Sequence, residues 1–388
     1  MSKFTSGAST ILYGGSYGTI LVERIMHLDP PGVTGYVMDG IATTSGAPGG
    51  EFFFMSKRDD DFGEVDDHFL TLCTLDPECK RHFKSPNALA KTLRGVLADF
   101  EKNPNSTCTP LVKSVDGDDY PPSSQLRITL GTMVMDPEIR KLIPPLIYRL
   151  KRCSKADIDV LKQFTGMLKA YSATKIQDDA LYSPLLFYLV TFSELWENPQ
   201  PSLAVMKARF AKASIAAGNV DFLYLYCAFS KEKSPACAQV KDSKYAAHGI
   251  IYDHDEYWNK TTTIPRKAGV LLLSSKLDAQ TPHKYAEYLL ESLRGDQKEL
   301  VTFNYSVHGA IVWTQLKTGN VACGIKIIAS YVSSNGDLKG IDKSCVDEMP
   351  AFNLTVPVDY QINYFSTDDV YDGVYDENLG EQSTEAAA

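Results

Sequence analysis

The sequence predicts an α/β fold, a parallel sheet interrupted by a large helical insertion, and three observations predict it. First, residues 9–13, "STILY", form a short apolar strand. "YGTILVERIMHLDP" then has helical spacing as far as Pro30-Pro31, and "GVTGYVMDG" reads as a second strand ending at Asp39-Gly40. Strand, sharp turn, helix and strand is the pattern of a parallel sheet, because parallel neighbours need a crossover between them. Second, the sheet signal returns late: "AGVLLLSS" (268–275) is an apolar run, "PHKYAEYLLESLRG" a helix, and "KELVTFNYS" another strand. Third, residues from about 50 to 260 read as helices joined by loops containing Pro and Gly, with few alternating β-branched runs. The expected division is a core formed by 1–48 and 263–350, a helical insertion over 49–262, and a C-terminal extension over 351–388. That extension ends in "STDDVYDGVYDENLGEQSTEAAA", acidic and poor in apolar residues, and is expected to be frayed or disordered.

The 388 residues are enough to bury a large core, and 44% hydrophobic with 22% charged residues is the balance of a folded chain. A formal charge of −9, with no long basic block, excludes a broad nucleic-acid surface. No uncharged apolar run approaches the length of a membrane span. The first ten residues, "MSKFTSGAST", lack the apolar centre of a signal peptide and point to the cytoplasm. The eight cysteines point the other way. Cys73/Cys79, Cys227/Cys237 and Cys323/Cys345 are spaced closely enough for disulfides in an oxidising compartment, buried unpaired thiols being the alternative. Four glycosylation sequons begin at Asn105, Asn259, Asn304 and Asn353. No Cys/His grouping has zinc spacing, so neither a metal nor a cofactor is expected.

The chemistry centres on Gly14-Gly15-Ser16-Tyr17-Gly18, between the first strand and its helix. In G-x-S-x-G the glycines permit a tight strand-to-helix turn with the serine hydroxyl at its apex, and the next amide, here of Tyr17, can face an oxyanion. A serine hydroxyl needs a base. His308, in "NYSVHGAI", follows a strand and precedes a helix, and Asp278, in "LLLSSKLDAQTP", lies just past another strand end. The order Ser, acid, His along the chain is that of a nucleophile–acid–base triad on a parallel sheet. His27 falls on a helix face, His68, His82, His248 and His254 in the insertion, and His283 in a first helical turn, so none of these shares the position of His308. The same glycines do not bind a nucleotide, because the run is not G-x-G-x-x-G and no Walker lysine follows.

"LYGGSYGT", "VMDG", "VLLLSSKLDAQTP", "VHG" and "ACGIKIIASYVSSNGDLKGIDKSC" resemble the S33-type serine peptidases of the α/β-hydrolase fold, in their tripeptidyl/prolyl aminopeptidase-like branch. The resemblance is strongest over 10–45 and 265–346. It implies Ser16 as nucleophile, Asp278 and His308 as its partners, a helical cap over the cleft, and peptide substrates clipped from a free N-terminus through an acyl-enzyme. It also implies an acidic cap residue that binds the substrate amine, a role that falls on Glu194 in "FSELW", a Cys323–Cys345 disulfide, and an exported protein. Members carry more than 50 residues ahead of the elbow, including an "HGG"-like oxyanion segment. The expectation is therefore a truncated chain whose elbow strand has an open side and whose Tyr17 amide lacks its partner donor. The alternatives are an esterase or lipase, or an inactive homologue that only binds peptides.

Overall fold

The computed structural model describes residues 9–48, 50–112, 120–174, 183–240 and 246–379. They fall into two compact units, the described residues within 1–65, 186–209 and 219–351 in one and those within 66–185, 210–218 and 352–388 in the other.

The first unit holds a four-stranded parallel sheet. Strand β1 (Thr10–Gly15) leads through helix α1 (Tyr17–His27) to β2 (Val33–Asp39). Helix α2 (Arg58–Thr71) opens in this unit, and α3 (Pro184–Glu194) contributes its C-terminal part. The chain re-enters the sheet with β3 (Gly269–Ser275), followed by α4 (His283–Ser292), β4 (Lys298–Phe303), α5 (Ala310–Trp313) and α6 (Cys323–Ser333). The spatial order β1-β2-β3-β4 follows the chain, so all four C-terminal strand ends lie along one edge.

Each face of the sheet is covered by helices. Tyr36, Met38, Val270 and Leu272 pack against Val22 and Met26 of α1 and Ala286 and Leu289 of α4. Val37, Leu271, Leu273, Val301 and Phe303 turn to the other face and meet Ala310, Cys323, Ile327 and Tyr331. Burial on both sides explains why β3 is a continuous apolar run rather than an alternating one. Gly35 is needed for this packing: a Cβ there would stand 2.6 Å from the Tyr331 hydroxyl, which donates to the Gly269 carbonyl. The four expected strands are thus present, each within a few residues of its expected bounds.

The unit boundaries depart from the expected core and insertion. Residues 186–209 and 219–262 belong with the sheet, because Phe192, Trp196, Met206, Leu223 and Cys227 share one buried cluster with Ile20, Ala42 and Tyr285. The second unit is helical and includes Ala88–Lys102, Pro122–Val134, Ile143–Arg152, Lys155–Thr174 and Val358–Phe365.

The acidic stretch after residue 365 is not frayed as far as it is described. Arg149, fully buried, donates to the carbonyls of Val370, Asp369 and Gly373 and pairs with Asp157 at 3.0 Å. Ser366 Oγ also donates to the Asp376 carbonyl, closing the loop. Residues 380–388, the rest of the expected disordered tail, lie outside the described residues.

Four disulfides join Cys73–Cys79, Cys108–Cys153, Cys227–Cys237 and Cys323–Cys345. Among the described residues no helix is long and apolar enough to cross a membrane.

Candidate active site

Ser16 stands between β1 and α1 with φ 55° and ψ −127°, a left-handed conformation that costs a non-glycine residue about 1–3 kcal/mol. Two features hold it there. Its N–H donates to the Asp39 carbonyl at 2.9 Å, and its own carbonyl accepts the Thr19 N–H and hydroxyl. Gly14 makes the turn sterically feasible, since a Cβ there would lie 2.3 Å from the Gly18 carbonyl oxygen and 2.7 Å from Val22 Cγ2. Tyr17 is the first residue of α1, where a backbone N–H has no intrahelical acceptor.

Asp278 follows β3 and is buried at 1% exposure. Its Oδ1 accepts the N–H groups of Gln280 and Thr281, both at 2.9 Å, and its Oδ2 accepts the Thr281 hydroxyl at 2.8 Å. That loop geometry leaves Oδ2 aimed at His308 Nδ1, 2.7 Å away. The donor arrangement fixes a carboxylate oxygen on Nδ1 and leaves Nε2 with no hydrogen-bond partner among the described residues.

His308 follows β4, three strands from β1, yet its ring lies over the end of β2. A Cβ on Gly40 would be 2.7 Å from His308 Cε1 and 2.8 Å from Nδ1. Gly40, with φ +64°, is therefore required both by its backbone and by the ring above it. Asp39 holds the turn that carries the ring: its Oδ1 accepts the Ala310 N–H at 2.8 Å and its Oδ2 the Ile311 N–H at 2.9 Å. One residue thus touches the elbow through its carbonyl and the histidine turn through its carboxylate. The sequence placed Asp39-Gly40 at a strand end but gave it no role. Its signals were a polar residue and a glycine closing an apolar strand, and the place of "VMDG" among the segments that carry the family resemblance.

Burial lowers the His308 pKa, but the charge and hydrogen bond of Asp278, with a smaller contribution from Asp39, outweigh it and leave the group above its ordinary value. Asp39 itself is raised, burial outweighing the two N–H donors.

No family model matches the chain, and no curated protein matches it.

Glu194, expected to receive a substrate amine, has donors of its own. Its Oε2 pairs with Arg24 at 2.8 Å and accepts the Tyr17 hydroxyl at 2.9 Å, while its Oε1 accepts the Tyr252 hydroxyl. This carboxylate is neutralised by a guanidinium and ties α3 to the residue next to Ser16. Among the described residues no group of three or more His, Cys, Asp or Glu side chains converges to hold a metal ion.

Proposed function

We propose that the chain is a serine hydrolase of the α/β-hydrolase fold, of the S33 peptidase type, acting on short peptides with a free N-terminus. The observation that carries this reading is the placement of the Asp278–His308 pair over Gly40, beside the strained Ser16 turn. Its peptide substrate comes from the resemblance of the motif segments.

In this reading His308 Nε2 takes the Ser16 hydroxyl proton as Oγ bonds to the scissile carbonyl carbon. The carbonyl oxygen becomes an oxyanion facing the Tyr17 N–H. Collapse of the tetrahedral intermediate breaks the C–N bond, and His308 returns the proton to the departing amine. Water then attacks the acyl-enzyme with the same base and releases the acid and Ser16. Asp278 keeps Nδ1 protonated and stabilises the imidazolium. Asp39 and Gly40 seat the ring, and Glu194 holds Tyr17.

Four disulfides, together with exposed side chains at Asn105, Asn259, Asn304 and Asn353, support an extracellular or lumenal location.

The substrate class is tested with matched peptide amides and short acyl esters. Hydrolysis of peptides with a free N-terminus, with loss of rate on N-acetylation, is expected. Equal rates on blocked and free peptides would defeat the exopeptidase assignment, and ester hydrolysis alone would make the chain an esterase.

A further inference from the structure

Arg58 opens α2 and is a sheltered cation whose partners among the described residues do not account for it. Four other sheltered arginines meet carboxylates: Arg24 with Glu194, Arg127 with Glu101, Arg149 with Asp157, and Arg209 with Glu197. Arg58 meets none among the described residues. Its Nη1 is 3.9 Å from the Met55 thioether, its Nη2 3.5 Å from Gln280 Oε1, and its Nε is buried without a hydrogen-bond partner. The guanidinium lies over the Phe62 ring, 5.3 Å from its centre, and the residue is half-buried, so it is desolvated yet reachable.

The carboxylates whose field reaches Arg58 are Asp278, Asp59 and Asp61. Each has its own donors. Asp278 takes Gln280, Thr281 and His308, Asp59 takes the Asn219 N–H at 3.2 Å, and Asp61 takes Lys284 at 2.8 Å and the Tyr285 hydroxyl at 2.9 Å. The position is also specific. Gln280, which Arg58 touches, donates its N–H to Asp278, so the guanidinium stands one residue away from the acid–base pair. A partly desolvated guanidinium with vacant donors is costly without an anion and matches a carboxylate in a two-point geometry.

We propose that Arg58 receives a substrate carboxylate, so that the preferred peptides carry an anionic group close to the bond that is cut. The proposal rests on the serine-hydrolase reading for the identity of the reaction. The carboxylate has two sources, the free C-terminus of a very short peptide or an acidic side chain.

Binding to the full chain carrying Ser16→Ala tests the proposal without requiring turnover. Three peptides of equal length are compared by calorimetry: a neutral peptide with a free C-terminal acid, the same peptide amidated, and an amidated peptide with one Glu. At least one acidic peptide should bind about tenfold or more tightly than the neutral amide. Arg58→Gln in the same background should erase that ratio, and Arg58→Lys should retain part of it. Which acidic peptide gains identifies the source of the carboxylate. Equal affinity for all three, no binding of any, or a ratio that survives Arg58→Gln would overturn the proposal. Should Arg58→Gln fail to fold, the acid-to-amide ratio of the Ser16→Ala protein and its reduction in Arg58→Lys decide the matter. Failure of wild-type protein to react with a serine-directed fluorophosphonate would overturn the hydrolase reading instead, with the binding ratio still deciding the role of Arg58.

Discussion

Two buried charge networks, one in each compact unit, are each centred on a buried, hydrogen-bonded aspartate and end differently. In the helical unit Arg149 spends its donors on Asp157 and three backbone carbonyls, while Asp157 also accepts from Arg152 and from the Ser154 N–H and hydroxyl. In the sheet unit Asp278 is equally saturated, but the chain of contacts continues into His308, whose Nε2 has no hydrogen-bond partner among the described residues. A closed network can only hold the fold, whereas an open one can move a proton. The difference lies in where each sits: Asp157 is enclosed by helical residues and their loops, whereas Asp278 stands at the end of a parallel strand, where ligands bind in open α/β sheets.

The contrast breaks first where chemistry and folding separate most. His308→Ala should lower kcat/KM by about 10⁴–10⁶-fold while leaving the melting temperature nearly unchanged. Arg149→Ala should do the reverse, destabilising the protein by about 3–5 kcal/mol in denaturant titrations, since it empties a fully buried site and takes the donor from the Asp369, Val370 and Gly373 carbonyls. Comparable thermal losses in both variants would remove the distinction.

Gly40→Ala comes next. The added methyl meets the His308 ring and a left-handed backbone, so a loss of about 10²-fold in kcat/KM is expected, larger than the change in stability would produce. A variant with full activity would show that the ring does not rest on Gly40.

Asp39→Asn sharpens the electrostatics. His308 must be neutral to act as base, and its raised pKa places the acid limb of kcat/KM above pH 6.5. Removing the Asp39 charge should move that limb to lower pH, and removing Arg58, whose charge lowers the His308 pKa, should move it to higher pH. Shifts in the same direction would contradict this placement of charges.

A last effect, on stability alone, concerns Glu23 on α1. Burial pushes its pKa up to about 8, and although the Thr43, Ser45 and Thr262 hydroxyls oppose this, neither carboxylate oxygen has a partner in hydrogen-bond geometry. The folded state therefore holds a proton that the unfolded chain releases near pH 4.5, so Glu23 reduces stability progressively between about pH 4.5 and 8. The melting temperature of Glu23→Gln relative to wild type should rise across that window and level off above it. A difference independent of pH would show that Glu23 is ionised throughout.

Much of the sheet unit was legible in the sequence because local rules govern it. An apolar run covered on both faces reads as a buried strand, and the crowding of Gly14 against Gly18 is what a G-x-S-x-G pattern encodes. The roles of Asp39 and Gly40 were not legible, since they depend on a loop after β4 crossing back over two strands. The donors of Glu194 were not legible for a related reason: its partner Arg24 lies 170 positions away on a different helix. The acidic C-terminal stretch looked disordered because composition reports its charge but not the buried Arg149 that its carbonyls surround.

The most direct test is intact-mass and peptide mapping after a fluorophosphonate is added to folded wild-type protein. One adduct per chain, located on Ser16, absent in Ser16→Ala and strongly slowed in His308→Ala, is the expected result. Folded protein that stays unmodified, or an adduct on another serine, would contradict the assignment of Ser16 as an activated nucleophile.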